Sequence, residues 1–131
     1  MYRLSDEFTA LVEDVIRTER SLRWILSADI AIGFMVSDKE KKKNGRLVLG
    51  DCQLVKEPWT AFCPFDFLIT IYLSNTIGLS EEQLRILMLH ELLHVGVDEK
   101  NGEPVYKIVP HDVEEFREII NRYGIDWAGG G

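Results

Sequence analysis

The sequence has little cysteine and little histidine, two and three residues respectively in 131, and these shortages exclude several protein classes. Cys52 and Cys63 form no CxxC pair, so a cysteine-built zinc ribbon is not available, and without a secretory context a disulfide is not indicated. Both are read as buried free thiols. No apolar run approaches the roughly 18 residues that cross a bilayer, and Met1 to Glu7 lacks the charged-then-apolar order of a signal peptide. No membrane partner and a cytoplasmic location are therefore expected. Positive charge is also short: the net charge is −7, which argues against broad binding to phosphate backbones and makes nucleic acid a poor partner.

What remains is the profile of a folded domain. Apolar residues make up 46% and charged residues 28%, and the length suits one domain, residues 1–131, with a core that needs no staple. One local exception to the acidic balance is Lys39-Glu40-Lys41-Lys42-Lys43-Asn44-Gly45, between two apolar stretches. It reads as a solvated hairpin turn that keeps a sheet edge soluble, with contact to an acidic substrate or to nucleic acid as the alternative.

Periodicity along the chain predicts an α+β arrangement. From Ser5 to about Glu19, Phe8, Leu11, Val12, Val15 and Ile16 recur at helical spacing, with Ser5 as N-cap and Asp6 and Glu7 in the first turn. Ile30 to Val36 is rich enough in branched and aromatic residues to be a buried strand. Leu47-Val48-Leu49 and Gln53-Leu54-Val55 flank Gly50-Asp51 as one irregular strand or two short ones. Phe65 to Leu73 alternates, with Phe65, Phe67, Ile69, Ile71 and Leu73 on one face. Three strands thus precede Ser80-Glu81-Glu82-Gln83, which has the form of a capping box. A buried helix is expected from there to about Val95, with Gly96 as a left-handed stop. Asn101-Gly102 predicts a type I′ turn between two extended arms. A second amphipathic helix follows from Asp112, carrying Val113, Phe116, Ile119, Ile120 and Tyr123 and stopped by Gly124. Residues 125–131 read as a flexible tail.

The chemistry lies on the buried helix, where His90-Glu91-Leu92-Leu93-His94 sets two histidines four apart around a glutamate. On a helix this spacing puts both imidazoles on one face, within reach of a single Zn²⁺. Glu91 sits beside them, placed to act as general base on a water that the metal activates. Two histidines and an acid on an otherwise apolar helix would be costly unless a cation satisfied them. A catalytic zinc needs three protein ligands and an open position, and the third histidine, His111, is returned towards the motif by the hairpin. Glu114, Glu115 and Asp98 compete with it, Asp98 being too near His94 to turn back easily. Asp112 is a candidate to orient a ligand imidazole, or simply a helix cap. Tyr106 could offer its phenol to an oxyanion, or pack the hairpin.

His90-Glu91-Leu92-Leu93-His94-Val95-Gly96, the hairpin, and His111-Asp112-Val113-Glu114-Glu115-Phe116 together resemble the phage metallopeptidase domain family, itself similar to SprT-like zinc proteases. The resemblance covers residues 20 to 123. It implies a minimal zincin-like fold, a small twisted sheet of about three to four strands packed on the active-site helix, with a final helix or loop bearing the third ligand. It also implies that His90, His94 and His111 bind zinc, that Glu91 is the base, and that the substrate is a peptide or protein. Where SprT-like domains have His-Gly, this chain has His111-Asp112, and it lacks their basic or zinc-ribbon modules, so a DNA-linked substrate does not follow. The rival readings are a non-catalytic zincin-fold module that binds metal or a protein partner, and a nucleic-acid-associated protein using Lys39 to Lys43. Glu91 favours catalysis, because a scaffold has no chemical need for a carboxylate there.

Overall fold

The computed structural model describes residues 2–4 and 8–110. Ser5, Asp6, Glu7, His111, Asp112, Glu114, Glu115, the second amphipathic helix and the tail lie outside the described residues.

The first helical stripe forms α1, Thr9–Thr18, which buries Val12, Val15 and Ile16. The segment around Trp24, which shows no clear period, is a 3-10 turn at Arg20–Leu22 leading into a short helix α2, Arg23–Ser27, with Leu22 and Ile25 inside. Tyr2–Leu4 is a strand, β1. Its three residues are too few to show a period, so only pairing with a distant strand identifies it.

Strand β2, Ile32–Ser37, pairs antiparallel with β1 and parallel with β6, Phe67–Tyr72. On its other side β6 pairs antiparallel with β5, Gly50–Leu54, giving a four-stranded sheet ordered β1-β2-β6-β5. The alternation in β6 describes only half of its burial. Phe67, Ile69 and Ile71 join the core, yet Thr70 and Tyr72 on the reverse face are each 1% exposed, because a central strand is covered on both faces. The chain leaves the sheet at Leu73 for a short helix α3, Leu73–Thr76, rather than continuing the strand.

The lysine-rich segment is a two-stranded hairpin, β3 (Lys42–Lys43) and β4 (Arg46–Leu47). Asn44 and Gly45 turn it with φ of 54° and 78°, the positive pair that a type I′ turn requires. Among the described residues six strands therefore precede the histidine motif, not three, since a two-residue strand carries no periodic signal. Asn101 and Gly102 make the second such turn, φ 55° and 81°, between β7, Val95–Lys100, and β8, Glu103–Ile108.

Helix α4, Glu81–Leu92, begins with a full capping box: Gln83 N donates to the Ser80 hydroxyl at 3.1 Å, and Ser80 N donates to the Gln83 side chain at 2.8 Å. Its buried Ile86, Leu87, Met88, Leu89 and Leu92 pack with α1, α2 and the inward residues of β6 into one core. The expected run to Val95 is not realised. The helix tightens after Leu92, with His94 N donating to the Glu91 carbonyl, and Val95 already belongs to β7. Gly96 is consequently no left-handed stop. It is a strand residue where a Cβ would stand 2.5 Å from Val109 Cγ2, so glycine is needed for close approach of the returning strand.

Candidate metal centre

His90 and Glu91 lie in the last turn of α4, and His94 in the tightened turn beyond it. The rings of His90 and His94 meet edge to face, centroids 5.3 Å apart. With Glu91 they form the one cluster of metal-capable side chains among the described residues, each offering a ligand atom within 4.8 Å of the others. Both histidines are half-buried, and Glu91 is 3% exposed.

The turn that ends α4 also orients His94. The antiparallel ladder of β7 and β8 extends one residue past its ends, so Val109 N donates to the His94 carbonyl at 2.7 Å. The side chain closes a second link, His94 Nδ1 lying 2.7 Å from the Val109 carbonyl oxygen. A carbonyl only accepts, so Nδ1 carries the proton and the Nε2 lone pair remains for a metal. The hairpin thus fixes the ring and tautomer of His94.

Above the cluster lies β5, an edge strand among the described residues. The register sets Gly50 opposite Ile71 and Cys52 opposite Ile69, so both face α4, and a Cβ on Gly50 would come 3.4 Å from Glu91 Oε2. A cleft of about 310 Å³ opens here, with His90, Glu91 and His94 on its floor and Gly50, Cys52 and Ile108 on its walls. Cys52 is partly buried rather than buried, as is Cys63. Burial, then the charges of Glu91 and Asp51, push the Cys52 thiol well up.

On the reverse face of β5 a polar network ties down the rim. The Tyr72 hydroxyl donates to Asp51 Oδ2 at 2.7 Å, and Lys41 Nζ donates to the same oxygen at 3.0 Å. Burial first, and then the Asp51 carboxylate, raise the Tyr72 phenol, which therefore remains a donor. Asn75 Nδ2 donates to the carbonyls of Lys41 and Val48, clamping the two feet of the β3–β4 hairpin. Asp51, Lys41, Asn75, Gly50 and Val109 carry no local motif, and only the pairing of distant strands brings them to the cleft.

The other expected site residues lie elsewhere. Tyr106 packs its ring edge-on to Phe67, centroids 5.9 Å apart, and the described residues lining the cleft do not include it. Asp98 is exposed on β7 and pairs with Lys107 at 2.9 Å. A cleft of about 390 Å³ between α1, α2 and β2 is mostly apolar, with Glu13 and Asp29 as its acids, and presents no metal-capable cluster among the described residues.

The donor set fits a divalent cation. Two imidazoles, one with its tautomer set by a backbone carbonyl, suit a borderline first-row metal, and a carboxylate buried on an apolar helix is stabilised by positive charge beside it. Among the described residues no helix is long and apolar enough to cross a membrane. A family model described as "Putative phage metallopeptidase" matches residues 1–129. No curated protein and no solved structure matches the chain.

Proposed function

The chain belongs to the phage metallopeptidase family, and from that premise we propose that it is a zinc-dependent peptidase of zincin type, in which His90, His94 and His111 hold the metal and Glu91 is the general base. The observation that carries the reading is the buried Glu91 set between two half-buried imidazoles on the floor of an open cleft. Bound zinc supplies Lewis acidity, polarising a carbonyl and bringing the pKa of water down to about 7. Glu91 takes the proton of the attacking water and passes it to the leaving amine. His94 is held in one tautomer by Val109, and its ring does not have to reorganise. β5, an edge strand among the described residues, offers an extended peptide a main-chain partner directly above Glu91. Residues 1–131 act as one domain, and Asp112 serves as an outer partner of a ligand imidazole or as a helix cap.

The test is metal analysis of native and Glu91→Gln protein beside a proteome-wide cleavage assay. Zinc retained in both with cleavage lost only in the variant supports the enzyme, whereas cleavage by Glu91→Gln removes it. Stoichiometric zinc loss in His111→Ala assigns the third ligand. Full retention transfers that role to Glu114 or Glu115.

A further inference from the structure

The lysine hairpin has a feature that neither the metal nor Glu91 uses. In β3–β4 Lys43 stands opposite Arg46, and Lys42 opposite Leu47. One pair further along, Val48 N donates to the Lys41 carbonyl at 2.9 Å. Side chains alternate across a strand, so Lys41, Lys43, Arg46 and Val48 share one face, and Lys42 and Leu47 the other. Lys41, Lys43 and Val48 line the same cleft of about 310 Å³ as His90, Glu91 and His94. The hairpin therefore brings Lys41 and Lys43 to the cleft, and Arg46 stands exposed beside Lys43 on the same hairpin face without itself lining it.

The cations on that face are treated unequally. Lys41 is neutralised by Asp51 at 3.0 Å. Lys43 and Arg46 have no acidic partner among the described residues, although the chain as a whole carries a net charge of −7. Like charges directly opposite each other weaken a strand pair, and this pair is only two residues long on each side. Both side chains are exposed, so their mutual repulsion is small and screened, and the pair, held beside the cleft by the Asn75 clamp and the Lys41–Asp51–Tyr72 network, is open to an incoming anion.

We infer that Lys43 and Arg46 form a subsite for an acidic side chain of the peptide lying in the cleft, so that the protein selects substrates with Asp or Glu near the scissile bond. This rests on the peptidase reading above. A nucleic-acid backbone is the poorer occupant, because two cations release few counterions and the net charge opposes a polyanion.

The experiment separates binding from cleavage. Octapeptides that differ only in Glu against Gln, scanned through each position, are titrated into zinc-loaded Glu91→Gln protein at low salt and again at about 0.5 M salt. At one position or two neighbouring ones Glu should bind about five- to twentyfold tighter than Gln, with most of the difference lost at high salt. Adding Lys43→Gln with Arg46→Gln should abolish the preference, and Lys43→Glu with Arg46→Glu should reverse it towards Lys-containing peptides, with melting curves showing that each variant is folded. Equal binding of Glu and Gln peptides, or binding of neither, overturns the inference. So does a random oligonucleotide that binds more tightly than the acidic peptide and is lost in the same variants. The same peptides given to the wild-type protein keep the two readings distinct. Acid-selective binding without cleavage removes the peptidase and leaves the subsite, whereas cleavage without acid preference does the reverse.

Discussion

The two ends of α4 are held by different kinds of contact. At the amino-terminal end, Ser80 and Gln83 satisfy each other three residues apart, and the apolar residues that follow need only be apolar. At the carboxy-terminal end His94 depends on Val109, fifteen residues later, and Glu91 lies beneath Gly50 of β5, whose β6 partner is Ile71. One end is a stability device whose parts are interchangeable with those of any helix. The other is a set of polar groups that have meaning only in their mutual positions. Substitutions at the first end should therefore move Tm and leave chemistry intact, and substitutions at the second should do the opposite.

The largest expected effect is Glu91→Gln, which removes the proposed base without changing shape. Peptide cleavage should fall by about 10²- to 10⁴-fold. The Tm of the metal-free protein should hold or rise, since a neutral amide replaces a buried carboxylate. A fall in Tm equal to the fall in activity would show that Glu91 is a structural group and erase the contrast. Next is Gly96→Val. A Cβ there would meet Val109 Cγ2 at 2.5 Å and Lys107 Cγ at 3.2 Å, so Val109 has to shift, and the expected result is loss of the bond from His94 Nδ1 to its carbonyl. Loss of such an outer contact lowers metal affinity by about 10- to 100-fold, measurable by competition with a chromogenic chelator. Unchanged zinc affinity beside a lowered Tm would show that His94 is oriented by something other than Val109.

Ser80→Ala is the matching change at the other end. It removes the acceptor for Gln83 N and should cost about 1 kcal/mol, read as a drop of several degrees in Tm with zinc affinity and cleavage at 25 °C unchanged. The same contrast explains what was legible in the sequence. The capping box and both Asn-Gly turns are local patterns, and each stands where its residues placed it; the α1 stripe also forms a helix, but one that begins at Thr9 with Phe8 at its N-cap rather than from Ser5. The His90-Glu91-His94 spacing also brought its three side chains together. The stop at Gly96 was misread because glycine serves equally as a left-handed cap and as a strand residue that admits a neighbour, and only Val109 decides between them. β1 and the β3–β4 strands are two or three residues long, below the length at which alternation can be seen. Asp51, Lys41 and Asn75 were invisible as site residues because their partners lie at sequence separations from 10 to 34, where spacing carries no information.

The smallest effect tests whether the ordinary face of α4 is electrostatically separate from the cleft. Arg85 on α4 donates to Asp14 on α1 and also to Thr18 Oγ1, and Arg17 donates to Asp14 as well. Arg85 first, and then Arg17, hold the Asp14 carboxyl below its ordinary value of 3.8. A carboxyl whose pKa is depressed on folding contributes stability that is present above its ordinary pKa and lost as pH falls through the folded value. The pair is exposed, so the contribution is small and screened by salt. Asp14→Asn should therefore lower Tm near pH 6 by less than Ser80→Ala does. The difference from wild type should shrink as pH is brought below 3.8, and also when salt is raised. Protonation of the imidazoles weakens zinc binding in both proteins as pH falls, but at each pH the variant and wild type should bind zinc equally, because Asp14 and Arg85 meet on the α1 side of α4 and neither lines the cleft. A Tm difference that persists at low pH would mean that Asp14 acts through packing. A zinc affinity that differs between Asp14→Asn and wild type near pH 6 would mean that this face of α4 and the cleft are coupled, and that the division between them is wrong.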